Sequence, residues 1–256
     1  MRIITEDLIT KPTGTAKIMA TNTLSSYSYL LIGSGRVARH LAHYFHLLNI
    51  RHQSWDRSQD PHLLKPKVLA SSHVLLAISD SALQGFYRQH LAGLEKTVIH
   101  FSGAHNFEDM IAAHPLMTFG PELYDLEFYQ KIHFTMTGAS LSEALPGLPN
   151  PSSILPAELK ALYHAHCVLG GNFTTLLVGK MLSGFAEMNI PAEAARIYIE
   201  KVIGNVFADP SKALTGPLVR KDVETVKANL QSLKNDPYTE IYQAFLKTYW
   251  PEYPRK

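Results

Sequence analysis

Residues 29–45 constrain the chain more than any other stretch. They read Tyr-Leu-Leu-Ile-Gly-Ser-Gly-Arg-Val-Ala-Arg-His-Leu-Ala-His-Tyr-Phe. An apolar run, Tyr29–Ile32, stops at Gly33. Beyond it Val37, Leu41, Tyr44, Phe45 and Leu48 recur at helical spacing. The pattern predicts a buried strand, a tight glycine turn and an amphipathic helix. Within it Gly33-Ser34-Gly35-Arg36-Val37-Ala38 is a G-x-G-x-x-A match, in the context a dinucleotide-binding turn requires. Gly33 makes the turn. Gly35 lets the backbone approach a pyrophosphate, which a Cβ there would block. Ala38 keeps the helix close to the sheet. The helix N-terminus adds unpaired N–H groups and the positive end of its dipole.

The spacing downstream agrees with this. A short strand over 51–55 ends in Asp56-Arg57-Ser58, and Asp56 stands 23 positions after Gly33. That is where the tip of a second strand meets the adenosine ribose. Asp56 can accept hydrogen bonds from ribose hydroxyls, which favours NAD. Arg57 and Ser58 make a small anion site, which favours the 2′-phosphate of NADP. The reading taken is NADP(H). Apolar strands follow at His73–Ile78, closed by Ser79-Asp80, and at Thr97–Phe101, closed by Ser102-Gly103. A helix over Leu83–Leu94 lies between them. A further short helix, Phe107–Ala113, leads to a loop carrying His114, and a last strand is expected over Ile132–Thr137. Strands alternating with helices imply a mostly parallel sheet with ligands at the strands' carboxyl ends. The cofactor-contacting set is therefore Gly33, Ser34, Gly35, Arg36, Val37, Arg57, Ser58, Ser79 and Ser102.

Leu145–Pro156 holds four prolines and can be neither helix nor central strand. It is taken as the boundary between a Rossmann-type domain, 28–150, and a helical substrate and dimerisation domain, 151–256. Residues 1–27 are polar and aperiodic and read as a flexible extension. The second domain opens on a long apolar-periodic stretch, Ala157–Asn189, interrupted by Gly170, Gly171, Gly179 and Gly184. Further helices are expected over Ala192–Phe207, Val223–Lys234 and Tyr238–Tyr249. The fold class is thus α/β, a mostly parallel sheet domain followed by an all-α domain.

Two groups beyond the glycine turn carry chemistry. At α-helical spacing His164, Val168 and Asn172 share a face, and the Asn172 amide must satisfy donors and an acceptor on an apolar surface. In Thr215-Gly216-Pro217…Arg220-Lys221-Asp222, Arg220 has the fork that suits a carboxylate, and Asp222 could orient it or move a proton. His114 is a further candidate proton donor. Composition narrows the classes. A net charge of +2 without a basic block gives no support for nucleic-acid binding. The single Cys167 leaves no internal disulfide and fits a reducing, cytoplasmic setting. No apolar run approaches a membrane span. The 13 histidines show no zinc-ligand spacing, so no metal is expected.

Three segments, His114-Pro-Leu-Met-Thr-Phe119, Tyr163-His164-Ala…Asn172-Phe173 and Ala213-Leu-Thr-Gly-Pro-Leu-Val-Arg220-Lys-Asp222, together resemble a known family. It is the Rossmann-like family with a C-terminal helical domain of formerly unknown function. It lies in the superfamily of 6-phosphogluconate dehydrogenases, ketopantoate reductases and pyrroline-5-carboxylate reductases. The resemblance covers roughly residues 28–235. It implies NADPH-dependent reduction of the ketone of 2-dehydropantoate, an alternative type of ketopantoate reductase serving pantothenate biosynthesis, in a homodimer. Superfamily members carry a lysine four residues before the helix asparagine, where it protonates the carbonyl oxygen. Here that position is Val168, so the role does not carry over. His164, with His114 as second choice, is taken as the donor, Asn172 as the carbonyl or hydroxyl partner and Arg220 as the carboxylate partner. Two alternatives stand beside this: reduction of a cyclic imine, and a nucleotide-binding protein without turnover.

Overall fold

The computed structural model describes residues 27–254. The extension expected over 1–27 falls outside them except for Tyr27. The first strand, β1 (Tyr29–Ile32), is buried along its whole length, because both its neighbours run parallel to it and both sheet faces are covered. Ile32 stands opposite Trp55 of β2 (His52–Trp55) on one side and Leu76 of β3 (His73–Leu76) on the other. β4 (Thr97–His100), β5 (Ile111–Pro115), β6 (Phe134–Thr137) and β7 (Ser152–Ile154) complete a seven-stranded sheet of order β2-β1-β3-β4-β5-β6-β7. Every neighbouring pair is parallel except β5 and β6. The strand order reverses between β1 and β3, the switch point at which open α/β sheets bind ligands.

Alternation along the strands builds two cores. Tyr29, Leu31, Leu75 and Ile99 face α1 (Arg36–Leu47) through its Leu41, Tyr44 and Phe45. Leu30, Ile32, Val74, Leu76 and Val98 face the opposite way. They pack with Leu64 and Val68 of α2 (Leu64–Leu69) and Leu83 of α3 (Asp80–His90). The first layer also takes Tyr129 of α4 (Leu126–Lys131) and Leu141 of α5 (Leu141–Ala144).

Two readings near β5 are corrected. Residues 107–113 do not form a helix: Phe107 bridges to Met110, and Ile111 opens β5, so His114 sits on a strand and not in a loop. Hydrogen bonding to β4 and β6 outweighs the weak helical preference of so short a segment. β6 is not the last strand either. Within the proline-rich stretch, Ser152–Ile154 adds β7 at the sheet edge, where proline neighbours are tolerated.

The chain divides into two compact units between Cys167 and Val168. The first unit runs beyond the prolines because α6 (Lys160–Cys167) is held to the sheet: Lys160 Nζ donates to the Ser102 carbonyl at 2.8 Å. The division falls inside the stretch expected as one long helix. Residues Val168–Phe173 are π-helical, and α7 (Thr174–Glu187) follows. The second unit continues with α8 (Ala192–Ala208), α9 (Pro210–Ala213), α10 (Pro217–Arg220), α11 (Val223–Ser232) and α12 (Tyr238–Tyr249). Val226 and Leu246 are buried between α11 and α12, with Trp250 behind them. Among the described residues no helix is long and apolar enough to cross a membrane.

Candidate functional site

In the first unit a cleft of about 780 Å³ opens over the carboxyl ends of β1 to β4, lined by residues drawn from 32–102. The glycine turn forms its centre. Gly33 adopts φ +126°, and a Cβ there would meet the Ala77 carbonyl oxygen at 2.3 Å, so only glycine fits between β1 and β3. Gly35 is different. A Cβ on it would meet no protein atom within 4 Å, so the space its hydrogen leaves belongs to the cleft. Gly35 also caps α1, which has no side-chain cap and no acidic residue in its first turn. Its leading N–H groups are therefore available to an anion. A dinucleotide pyrophosphate fits this cradle in shape and charge.

Strand spacing lays out the rest. Neighbouring strands lie about 4.8 Å apart, so the tips of β2 and β4 flank the glycine turn by roughly 14 Å end to end. On the β2 side the cleft is lined by Asp56 and Arg57, with Trp55 and Phe86 behind them. Ser58 does not line it. Its N–H and its hydroxyl both donate to Asp56 Oδ1, at 2.8 and 2.5 Å. Those bonds hold the Asp56 carboxyl below its ordinary range. The anion site read from Arg57 and Ser58 thus reduces to Arg57 with a charged carboxylate beside it. On the other side Ser79 begins α3 without committing its hydroxyl to a cap, and Ser102 closes the cleft at the tip of β4.

Behind Ser102 lies a polar cluster that the sequence reading missed. The Ser102 hydroxyl donates to Asp80 Oδ2 at 2.8 Å, and its carbonyl accepts from Lys160. Lys160 is only 2% exposed, and burial lowers its pKa to about 8. Next in chain, Gly103 leaves no room for a side chain: a Cβ would meet His164 Nδ1 at 2.5 Å and His114 Nε2 at 2.9 Å. His114 Nδ1 is hydrogen-bonded to the Tyr163 hydroxyl at 2.7 Å. Burial, with the Lys160 charge nearby, pushes His114 down to about 4, so it is neutral at physiological pH and serves as a hydrogen-bonding group. His164 Nδ1 is buried against the Gly103 backbone and has no hydrogen-bond partner among the described residues. Lys160, Tyr163 and His164 are spaced i, i+3, i+4, which puts all three on one face of α6. That spacing was the available signal for Lys160. Helical phasing back from Asn172 conceals it, because that phasing crosses the π-helical segment Val168–Phe173.

The second unit holds the remaining candidates. Asn172 is exposed within the π-helical segment that Val168 begins. A π turn accommodates more residues than an α turn, so the 3.6-residue phasing that aligned Asn172 with His164 does not run through it. Arg220 is exposed at the end of α10, ahead of Lys221 at φ +51°. Asp222 caps α11, accepting from the Thr225 N–H and hydroxyl at 3.1 and 2.7 Å. That task accounts for its carboxyl and holds its pKa down.

The family model described as "Domain of unknown function (DUF2520)" matches residues 138–248. The match takes in two of the three resembling segments, those around His164–Asn172 and Leu214–Asp222. No curated protein is similar enough to count as a match. Among solved structures, a candidate NADP oxidoreductase of Bacteroides fragilis is 21% identical, with a TM-score of 0.71 over 87% of this chain and 97% of its own. An imine reductase of Streptomyces aurantiacus is 13% identical, with a TM-score of 0.61 over 85% and 93%. A Plasmodium falciparum pyrroline carboxylate reductase with NADP bound is 10% identical, with a TM-score of 0.53 over 89% and 97%. At these identities the likeness is one of fold: a Rossmann-type sheet domain followed by helices.

Proposed function

We propose that the chain is an NADP(H)-dependent oxidoreductase that reduces the ketone of a small 2-oxo acid, of which 2-dehydropantoate is the leading candidate. The observation that carries this is Gly35, glycine where the protein itself imposes no steric need, at the open centre of a cleft flanked by Arg57 and Ser102. The pyrophosphate would rest on Gly33–Val37, the 2′-phosphate would meet Arg57, and the nicotinamide would lie toward Ser79 and Ser102. The cofactor supplies hydride. The chain supplies orientation and a hydrogen bond or proton to the developing alkoxide, roles assigned to Asn172 and His164, with Arg220 for the carboxylate. His164 acts through Nε2, since Nδ1 abuts Gly103. The similar structures that are NADP oxidoreductases and reductases of imines support the cofactor and the reaction class.

One observation favours a second substrate class. With Val168 at the lysine position and His114 neutral, acid catalysis is weakly provided, and a cyclic imine needs less of it because its iminium is already activated. Fluorescence titration with NADPH tests the cofactor, and NADPH oxidation over a panel of 2-oxo acids and cyclic imines separates the substrates. Micromolar NADPH binding with turnover of one class is expected. The N172A variant should lose turnover at least tenfold at unchanged NADPH affinity. Binding without oxidation across the panel would indicate a nucleotide-binding protein, and absence of binding would end the proposal. We further infer a homodimer through the second unit. There α8 exposes Tyr198, Val202 and Val206 along one face, with Phe207 86% exposed beside them.

A further inference from the structure

Lys160 is buried in the first unit without a carboxylate at ion-pairing distance among the described residues. Its ammonium has three N–H donors, and among the described residues it forms one hydrogen bond, to the Ser102 carbonyl. The groups around it come from every neighbouring element. Asp80 of α3 accepts from the Ser102 hydroxyl, lines the cleft itself and is the one carboxylate among the described residues whose charge acts on Lys160; His105, in the loop after β4, lies 3.6 Å from it. His100 of β4 and His114 of β5 are both pushed to about 4 by burial and by the Lys160 charge. His164 lies one turn along α6. The two depressed imidazoles are neutral near pH 7 and do not offset the ammonium. A buried, incompletely partnered cation is costly to keep and is retained only where something answers its charge.

The hydrogen-bond partner of Lys160, Ser102, lines the β4 end of the cleft, which puts the ammonium one residue behind that lining. On the reading given above, on which this rests, that end receives the nicotinamide. The reduced ring is neutral and the oxidised ring carries a positive charge. We propose that Lys160 sets the chain's preference between the two redox forms of its cofactor, a fixed positive charge behind the β4 tip that favours the reduced form and disfavours the oxidised one. It is a positioning residue, acting through Ser102 and through its field and not by contact with the reacting atoms. The effect makes the protein bind the reductant and release the product form.

The test is the ratio of NADP+ to NADPH dissociation constants, measured by titration of the full chain at pH 7 and pH 9. The two forms are nearly identical except at the ring, so a general loss of packing moves both constants and leaves their ratio alone. Wild type is expected to favour NADPH, with the ratio falling several-fold toward pH 9 as Lys160 gives up its proton. The K160M variant, in which an apolar chain fills the same space, should show a ratio lower by on the order of tenfold at pH 7 and flat with pH. K160R should keep the ratio and lose the decline. A K160M ratio equal to that of wild type overturns the proposal while leaving the cofactor reading intact. If K160M does not fold, a wild-type ratio flat from pH 7 to pH 9 overturns it. A wild type that binds neither form removes both the proposal and the reading beneath it.

Discussion

The two glycines of the turn make opposite demands and should fail differently. G33A forces a methyl against the Ala77 carbonyl in a backbone region that alanine rarely adopts. The expected cost is about 2–4 kcal/mol of stability, read by urea denaturation. G35A meets no protein atom, so stability should change by less than about 1 kcal/mol while NADPH affinity falls tenfold or more. His100 and His114 make a second residue-scale prediction. Both are held near 4 in the folded chain against about 6.5 unfolded. Between those values the unfolded chain binds protons that the folded chain refuses. Stability is therefore fully present above pH 6.5 and is lost as pH falls toward 4, by on the order of 2–3 kcal/mol for each group. H100N should flatten the acid limb in urea denaturation at pH 7 and 4.5, and an unchanged limb would contradict it. The tight turn at Gly33 was legible in sequence because a glycine pattern between a strand and a helix has few physical readings. For Lys160 the spacing with Tyr163 and His164 was legible, and its burial was not, because that depends on a contact with Ser102, far away in the chain.

Period decided which elements could be read. β1 and α1 announced themselves by an apolar run followed by 3.6-residue recurrence, and α12 matched its expected bounds, Tyr238–Tyr249. β5 was misread as part of a helix, since Phe107–Ala113 is too short for period to separate the states and pairing with β4 and β6 decides the matter. β7 was invisible for the same reason, three residues between prolines. The glycines of the long helical stretch have a clearer meaning now. Gly170 and Gly171 lie in the π-helical segment, and a Cβ on either would meet nothing within 4 Å. The double variant G170A/G171A should raise the melting temperature, since each replacement favours regular helix by about 1 kcal/mol. If the π turn sets the position of Asn172, the same variant should lower turnover. A rise in stability with no loss of turnover would show the π turn to be dispensable.

For the molecule as a whole, the division at Val168 and the order of seven strands could not be read from spacing. Alternation says that both faces of a strand are buried and leaves open which strands are neighbours. The number of copies in solution is a property at this scale. Sedimentation equilibrium should give a dimer, and F207E, which places a charge on the most exposed aromatic of α8, should weaken association at least tenfold while leaving NADPH binding near that of wild type. A monomer at all accessible concentrations would refute the inference. The lining of the cleft is drawn wholly from residues 32–102, all in the first unit, whereas Asn172 and Arg220 belong to the second. On the proposed roles of Asn172 and Arg220, substitutions in the helical half would change the choice of substrate while leaving the nucleotide cleft of the first unit nearly unaltered.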